Sequence, residues 1–167
     1  NYANRPLNSI INILLPWHPQ TLGSFEKRIA GITAICSDYP EIAWKTLFAL
    51  MPNQTNLASN SYRPKWRKIS LDHLDIKISK VEYLRQVEEY QKIMIGMAQK
   101  DVSKFIQLTK MMDDLTDSSR EFILRHLSCS SIMNLSEGNR YLIWSALTEF
   151  VSKHRKYPDA EWSLKTE

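Results

Sequence analysis

The sequence predicts an all-α fold of about seven helices, stacked as antiparallel pairs in a piece of a HEAT- or TPR-like solenoid. Three observations predict it. Glycine is scarce: four residues in 167, about 2% against a usual ~7%. Tight hairpins consume glycine, so the scarcity argues against β-rich folds. Apolar residues recur at steps of three and four along successive segments, the spacing of one helix face. Prolines and Ser, Thr, Asp or Asn caps fall at the ends of those segments. Most linkers are short, which makes sequential helices antiparallel neighbours. No clean repeat of ~34 or ~40 residues is visible, so an irregular helical bundle is the alternative.

Asn4 and Pro6 open the first helix, whose face is Leu7, Ile10, Ile11, Leu14 and Leu15, and Pro16 stops it. Ser24 caps the second, with Phe25, Ile29, Ile32, Ile35 and Cys36 as its stripe and an end near Asp38. Tyr39 is pushed from helical angles by the proline after it, and Pro40 begins the third. Ile42, Ala43, Leu47, Phe48 and Met51 form its expected inner face, and Pro52 ends it. A long polar stretch, NQTNLASNSYRPKW, follows. Connections of that length are uncommon within compact domains, which marks 53–68 as a candidate internal junction of a single domain spanning 1–167.

From about Leu74 a long helix is expected to bury Ile78, Val81, Leu84, Val87, Met94 and Met97. Lys80, Arg85, Glu88, Glu89 and Lys92 form its outer face, with Glu88 and Lys92 in the favourable i,i+4 order. Asp101 caps a helix bearing Val102, Phe105, Ile106, Leu108 and Met112, and Thr116 caps another bearing Phe122, Ile123 and Leu127. The last long helix runs from about Glu137 to Lys156, with Tyr141, Leu142, Trp144, Leu147, Phe150 and Val151 inward.

One phrase occurs twice. Tyr39-Pro40-Glu41 precedes Trp44, and Tyr157-Pro158-Asp159 precedes Trp162. Proline suits the first turn of a helix and an acid suits its positive end. Both copies therefore read as helix-start joints, with each Trp one turn along and packed back over its joint.

The residues offer little chemistry. Of the histidines, His126 and His154 lie on helices beside basic neighbours and read as surface or interface residues, while His18 and His73 sit in connectors. No serine stands in a nucleophile elbow. No CxxC, HExxH, Ca-loop, GxxxxGK[ST] or GxGxxG pattern is present, so no catalytic residue, cofactor or metal is assigned. Asp113, Asp114 and Asp117 read as a helix end followed by the acidic first turn of the next. Cys36 and Cys129 read as small buried thiols of a reducing, cytoplasmic setting. Met94, Met97, Met111 and Met112 fit core filler better than an adaptable groove.

The net charge is +4. Arg63, Lys65, Arg67 and Lys68 sit together, interleaved with Tyr62 and Trp66; without these four, basic and acidic residues balance. Cations with aromatics can grip phosphate and stack a base, which makes the cluster a candidate polyanion or nucleic-acid contact. The simpler account is a connector that packs Trp66 inward or touches a protein partner while its charges stay wet. No apolar run of 18 or more residues is present, so no membrane span is expected.

The run NRPLNSIINILLPWHPQT, the stretch YPEIAWKTLFALMPNQ and the close WSALTEFVSKHRKYPDAEWSL together resemble helical-array regions of large bacterial multidomain proteins. The STAND NTPases of bacterial defence are the class in question. The shared landmarks are aromatics and prolines, not active-site residues. The resemblance implies a non-catalytic scaffold or sensor segment, cut from a longer chain, that meets protein surfaces or neighbouring domains. With the start at Asn1 and an end soon after Trp162, a fragment is the expectation.

Overall fold

A computed structural model describes residues 6–21, 23–52, 78–129, 132–160 and 163. It is all-α, with seven helices and no strand among those residues. The helices are α1 (Pro6–Leu14), α2 (Phe25–Asp38), α3 (Pro40–Leu50), α4 (Lys80–Ala98), α5 (Val102–Lys110), α6 (Asp117–Leu127) and α7 (Glu137–Lys156), with a 3₁₀ turn at Met112–Asp114. Contacts divide the chain into two compact units, Asn1–Met94 and Ile95–Glu167. The junction expected at 53–68 lies outside the described residues, as do Asn4, His73 and the expected start near Leu74.

In the first unit α1, α2 and α3 pack on one another. Ser24 caps α2 as expected, accepting a hydrogen bond from the Lys27 amide. Only Tyr39 separates α2 from α3, and Pro40 stands in the first turn of α3. Tyr39 accommodates this with φ −140° and ψ 66°, outside the helical region that a following proline disfavours. The inner face of α3 is rotated from expectation. Ala43, Trp44, Thr46, Leu47 and Leu50 are buried, with Met51 just beyond, while Ile42 and Phe48 are partly exposed. Trp44 takes the inner position, and its ring stands 6.4 Å from that of Phe48.

Helix α4 starts at Lys80, so Ile78 precedes it. Ser79 and Glu82 form a capping box: the Ser79 amide and hydroxyl both donate to the Glu82 carboxylate, and the Glu82 amide donates back to Ser79 Oγ. Val81 and Leu84, expected inside, are exposed, whereas Val87 and Met94 are buried. The polar residues Gln86, Tyr90 and Gln91 share that buried face.

In the second unit α5 packs chiefly on α7. Asp101 caps α5 through the Ser103 and Lys104 amides and pairs with Lys104 at 2.7 Å. Phe105, Ile106, Leu108, Met111, Met112, Ile123, Ile143, Ala146 and Phe150 belong to the core. Thr116 precedes α6 but makes no side-chain cap bond; its hydroxyl donates to Ser119 Oγ at 3.0 Å. Phe122, expected inside, is part-exposed.

The second Tyr-Pro copy does not open a helix. Tyr157 has nearly the Tyr39 conformation, φ −128° and ψ 62°, but Pro158 enters a turn closed by the Ala160 amide on the Tyr157 carbonyl. The Ser163 amide donates to the Ala160 carbonyl at 2.9 Å, and its hydroxyl donates to the His154 carbonyl at 2.9 Å. That bond satisfies a carbonyl in the last turn of α7, and the chain is turned back where a helix was expected. Trp162 lies outside the described residues.

Candidate functional site

Three places gather chemistry-bearing side chains, and each is built by a different local rule. The first is a buried polar cluster in the first unit. Pro16 prevents α1 from continuing, which leaves the Leu14 carbonyl without a helical partner. Tyr90 Oη donates to it at 2.8 Å and Gln86 Nε2 at 3.3 Å. Gln86 Oε1 in turn accepts from Arg28 Nη2 at 2.7 Å and Nε at 3.2 Å, and Arg28 Nη1 donates to the Gly23 carbonyl at 2.7 Å. Arg28 is only 6% exposed. Burial pushes the Tyr90 hydroxyl up to about 12, against the smaller opposing pull of its bond with Gln86. Every polar atom here points at another protein atom. The cluster stitches helix ends together through bonds among its own members. Beside it a groove of about 220 Å³ lies between α1 and α2, lined by Ile10, Ile13, Leu14 and Ile35. That is below the ~300 Å³ at which ligand sites usually begin.

The second place is Asp113 in the second unit. Its carboxylate accepts from Lys153 Nζ at 2.6 Å and from His154 Nε2 at 2.9 Å. His154 is therefore buried and paired, not the surface histidine that its basic neighbours suggest, and its ring packs on Phe150 at 4.3 Å. Burial raises the Asp113 pKa, but the Lys153 and His154 hydrogen bonds outweigh it and hold the group below its ordinary value. Asp114 moves the other way, raised by burial and by the Asp113 charge. Asp117 pairs with Arg120 in the first turn of α6. Among the described residues no three His, Cys, Asp or Glu are placed to hold a metal ion. His126 stands against the Phe105 ring at 5.0 Å. Cys36 is half-buried, which raises its thiol pKa, while Cys129, expected to be buried, is exposed. Met94, Met111 and Met112 are core residues.

The third place is the outside of α7. The helix has the expected limits, but its buried face is Ile143, Ala146, Phe150 and His154. Tyr141 and Trp144, expected inward, are 62% and 61% exposed, and Leu142 and Val151 are also exposed. At 100° per residue Trp144 lies about a quarter-turn from Ile143, and Tyr141 and Val151 fall on the same outer side as Trp144. Tyr141 and Trp144 pack against each other with ring centroids 6.0 Å apart. The result is an apolar strip with no cover among the described residues. It is the best candidate for function, because large aromatics facing water mark contact surfaces.

The basic-aromatic candidates Tyr62, Arg63, Lys65, Trp66, Arg67 and Lys68 lie outside the described residues, so the structure neither places nor removes them. No described helix is long and apolar enough to cross a membrane. No protein-family model, curated protein or solved structure matches the chain.

Proposed function

We propose that this chain is a non-catalytic helical scaffold or sensor segment that makes protein–protein or interdomain contacts through the outer strip of α7, within a larger bacterial protein of the helical-array kind its landmarks resemble. The observation that carries this reading is the exposure of Tyr141 and Trp144 on one side of a long, well-anchored helix. The opposite face of α7 is fixed by Phe150 and by the Asp113 pair, so the strip is presented on a rigid element. A rigid aromatic surface loses little entropy on contact, which suits it to recognition by shape. Short joints such as Tyr39 support stacking of successive helices into an array.

A photo-crosslinking amino acid placed at Trp144 tests the proposal in the native cells. We expect illumination to trap the chain on a polypeptide, and the same group at Glu149, on another exposed side of α7, to trap much less. Equal trapping at both positions, or none at Trp144, would sink the reading.

A further inference from the structure

We infer that the outer strip of α7 is a self-pairing seam, through which two copies of this chain join as antiparallel helices about a twofold axis. The inference rests on the strip being a protein-contact surface and names its partner. Glu137, Tyr141, Trp144, Thr148, Val151 and Arg155 follow one another at steps of four, three, four, three and four. That alternation is the heptad seam of a coiled coil. All six are exposed. Over the ~27 Å from Glu137 to Arg155, at 1.5 Å per residue, they keep one side of the helix.

The strip reads the same from either end. Turned about its midpoint at Ala146, Glu137 meets Arg155, Tyr141 meets Val151, and Trp144 meets Thr148 of the partner copy. Such self-complementarity is what an isologous interface requires. Charge selects the orientation. Glu137 begins the helix and Arg155 stands in its last turn. A parallel pair would set Glu137 against Glu137 and Arg155 against Arg155, whereas the antiparallel pair sets opposite charges together at both ends. Neither residue has an ion-pair partner among the described residues, so both are available.

The middle of the seam is suited to burial. The Thr148 hydroxyl already donates to the Trp144 carbonyl at 2.9 Å, which leaves its methyl group to face the partner's indole. The Tyr141 and Trp144 rings already rest on each other, so pairing immobilises little that was free. A seam of about five turns is a small interface, so the dimer forms reversibly and dissociates on dilution.

Sedimentation of the purified chain over a dilution series, at low and high salt, tests this. The expected result is a reversible monomer–dimer equilibrium that weakens as salt rises. Trp144→Glu should abolish the dimer with an unchanged far-UV circular dichroism spectrum. Glu137→Arg or Arg155→Glu alone should weaken it about tenfold, because like charges then meet at both ends. The two substitutions together should restore it, since every end pair is again opposite in sign. A monomer at all concentrations, a dimer indifferent to Trp144→Glu, or single swaps that the double variant does not rescue would each overturn the seam. If the chain is monomeric while the crosslinker at Trp144 traps a different protein, self-pairing is wrong and the contact surface stands. If neither is seen, both readings fail.

Discussion

The Leu14 carbonyl shows how single side chains tie this fold together. It is an orphan acceptor at the end of α1, and Tyr90 and Gln86 reach it across the first unit. The same Gln86 holds the buried Arg28 guanidinium through its amide oxygen. The two residues are therefore not equivalent. Tyr90→Phe removes one hydroxyl but leaves Gln86 on the carbonyl, and we expect a loss of about 1 kcal/mol. Gln86→Leu leaves a buried cation short of two acceptor contacts and should cost about 2–3 kcal/mol, more than Tyr90→Phe. Chemical denaturation of both variants checks the order, and a larger loss for Tyr90→Phe would mean that the Tyr90 hydroxyl on the Leu14 carbonyl, not the Gln86–Arg28 contact, governs this site. None of this was plain in the sequence. Tyr90, Gln91 and Met94 stand three, four and seven residues after Val87, on the helical stripe. A hydropathy pattern gives such polar residues to the surface, because it does not register that a stopped helix elsewhere leaves a carbonyl to be met.

At the scale of elements, limits were far more legible than faces. Prolines and caps act locally, so Pro40, Ser24, Asp101 and the span Glu137–Lys156 stand where the sequence puts them. The capping box at Ser79 and Glu82 was equally readable and moves the start of α4 to Lys80. Faces depend on the partner. Helix α7 carries two apolar stripes, and the larger side chains, Tyr141 and Trp144, lie on the one that its contact with α5 leaves outside. What anchors the inner stripe is the joint between the 3₁₀ turn and α7, where Asp113 meets Lys153 and His154. The depressed Asp113 pKa fixes the sign of a pH effect. Its stabilisation is fully present above the unfolded value of ~3.9 and is lost as pH falls through the lower folded value. Asp113→Asn should thus cost on the order of 1 kcal/mol at neutral pH. The cost is net of some relief to Asp114, whose pKa the Asp113 charge helps to raise. The gap between variant and wild type should close as pH drops below that window. Urea unfolding at neutral and acid pH measures it, and a gap constant with pH would show that Asp113 acts through shape alone.

Across the whole molecule, charge and apolar exposure point to different stretches of chain. Two exposed aromatics that pack together, Tyr141 and Trp144, are on α7, whereas the entire net charge of +4 equals that of Arg63, Lys65, Arg67 and Lys68. The class of the fold was readable because glycine content and helical spacing are properties of the whole chain. The strip on α7 was not, because the same residues that mark a contact surface also mark a core, and only packing separates the two. The basic cluster can now be set against the strip by experiment. Changing its four cations to Ala removes the net charge and should bring the isoelectric point down from about 9.0 toward neutrality. If protein contact through α7 is the function, this variant keeps the crosslink at Trp144 and the wild type binds single-stranded oligonucleotides weakly at physiological salt. If instead the wild type binds them with an affinity that falls steeply with salt, and the variant loses both affinity and slope, the cluster is a working polyanion site. Tyr62 and Trp66 then decide the mode of binding. Changing both to Ala should cost about 1–3 kcal/mol per stacked base without altering the slope, since stacking, unlike phosphate contact, releases no counterions.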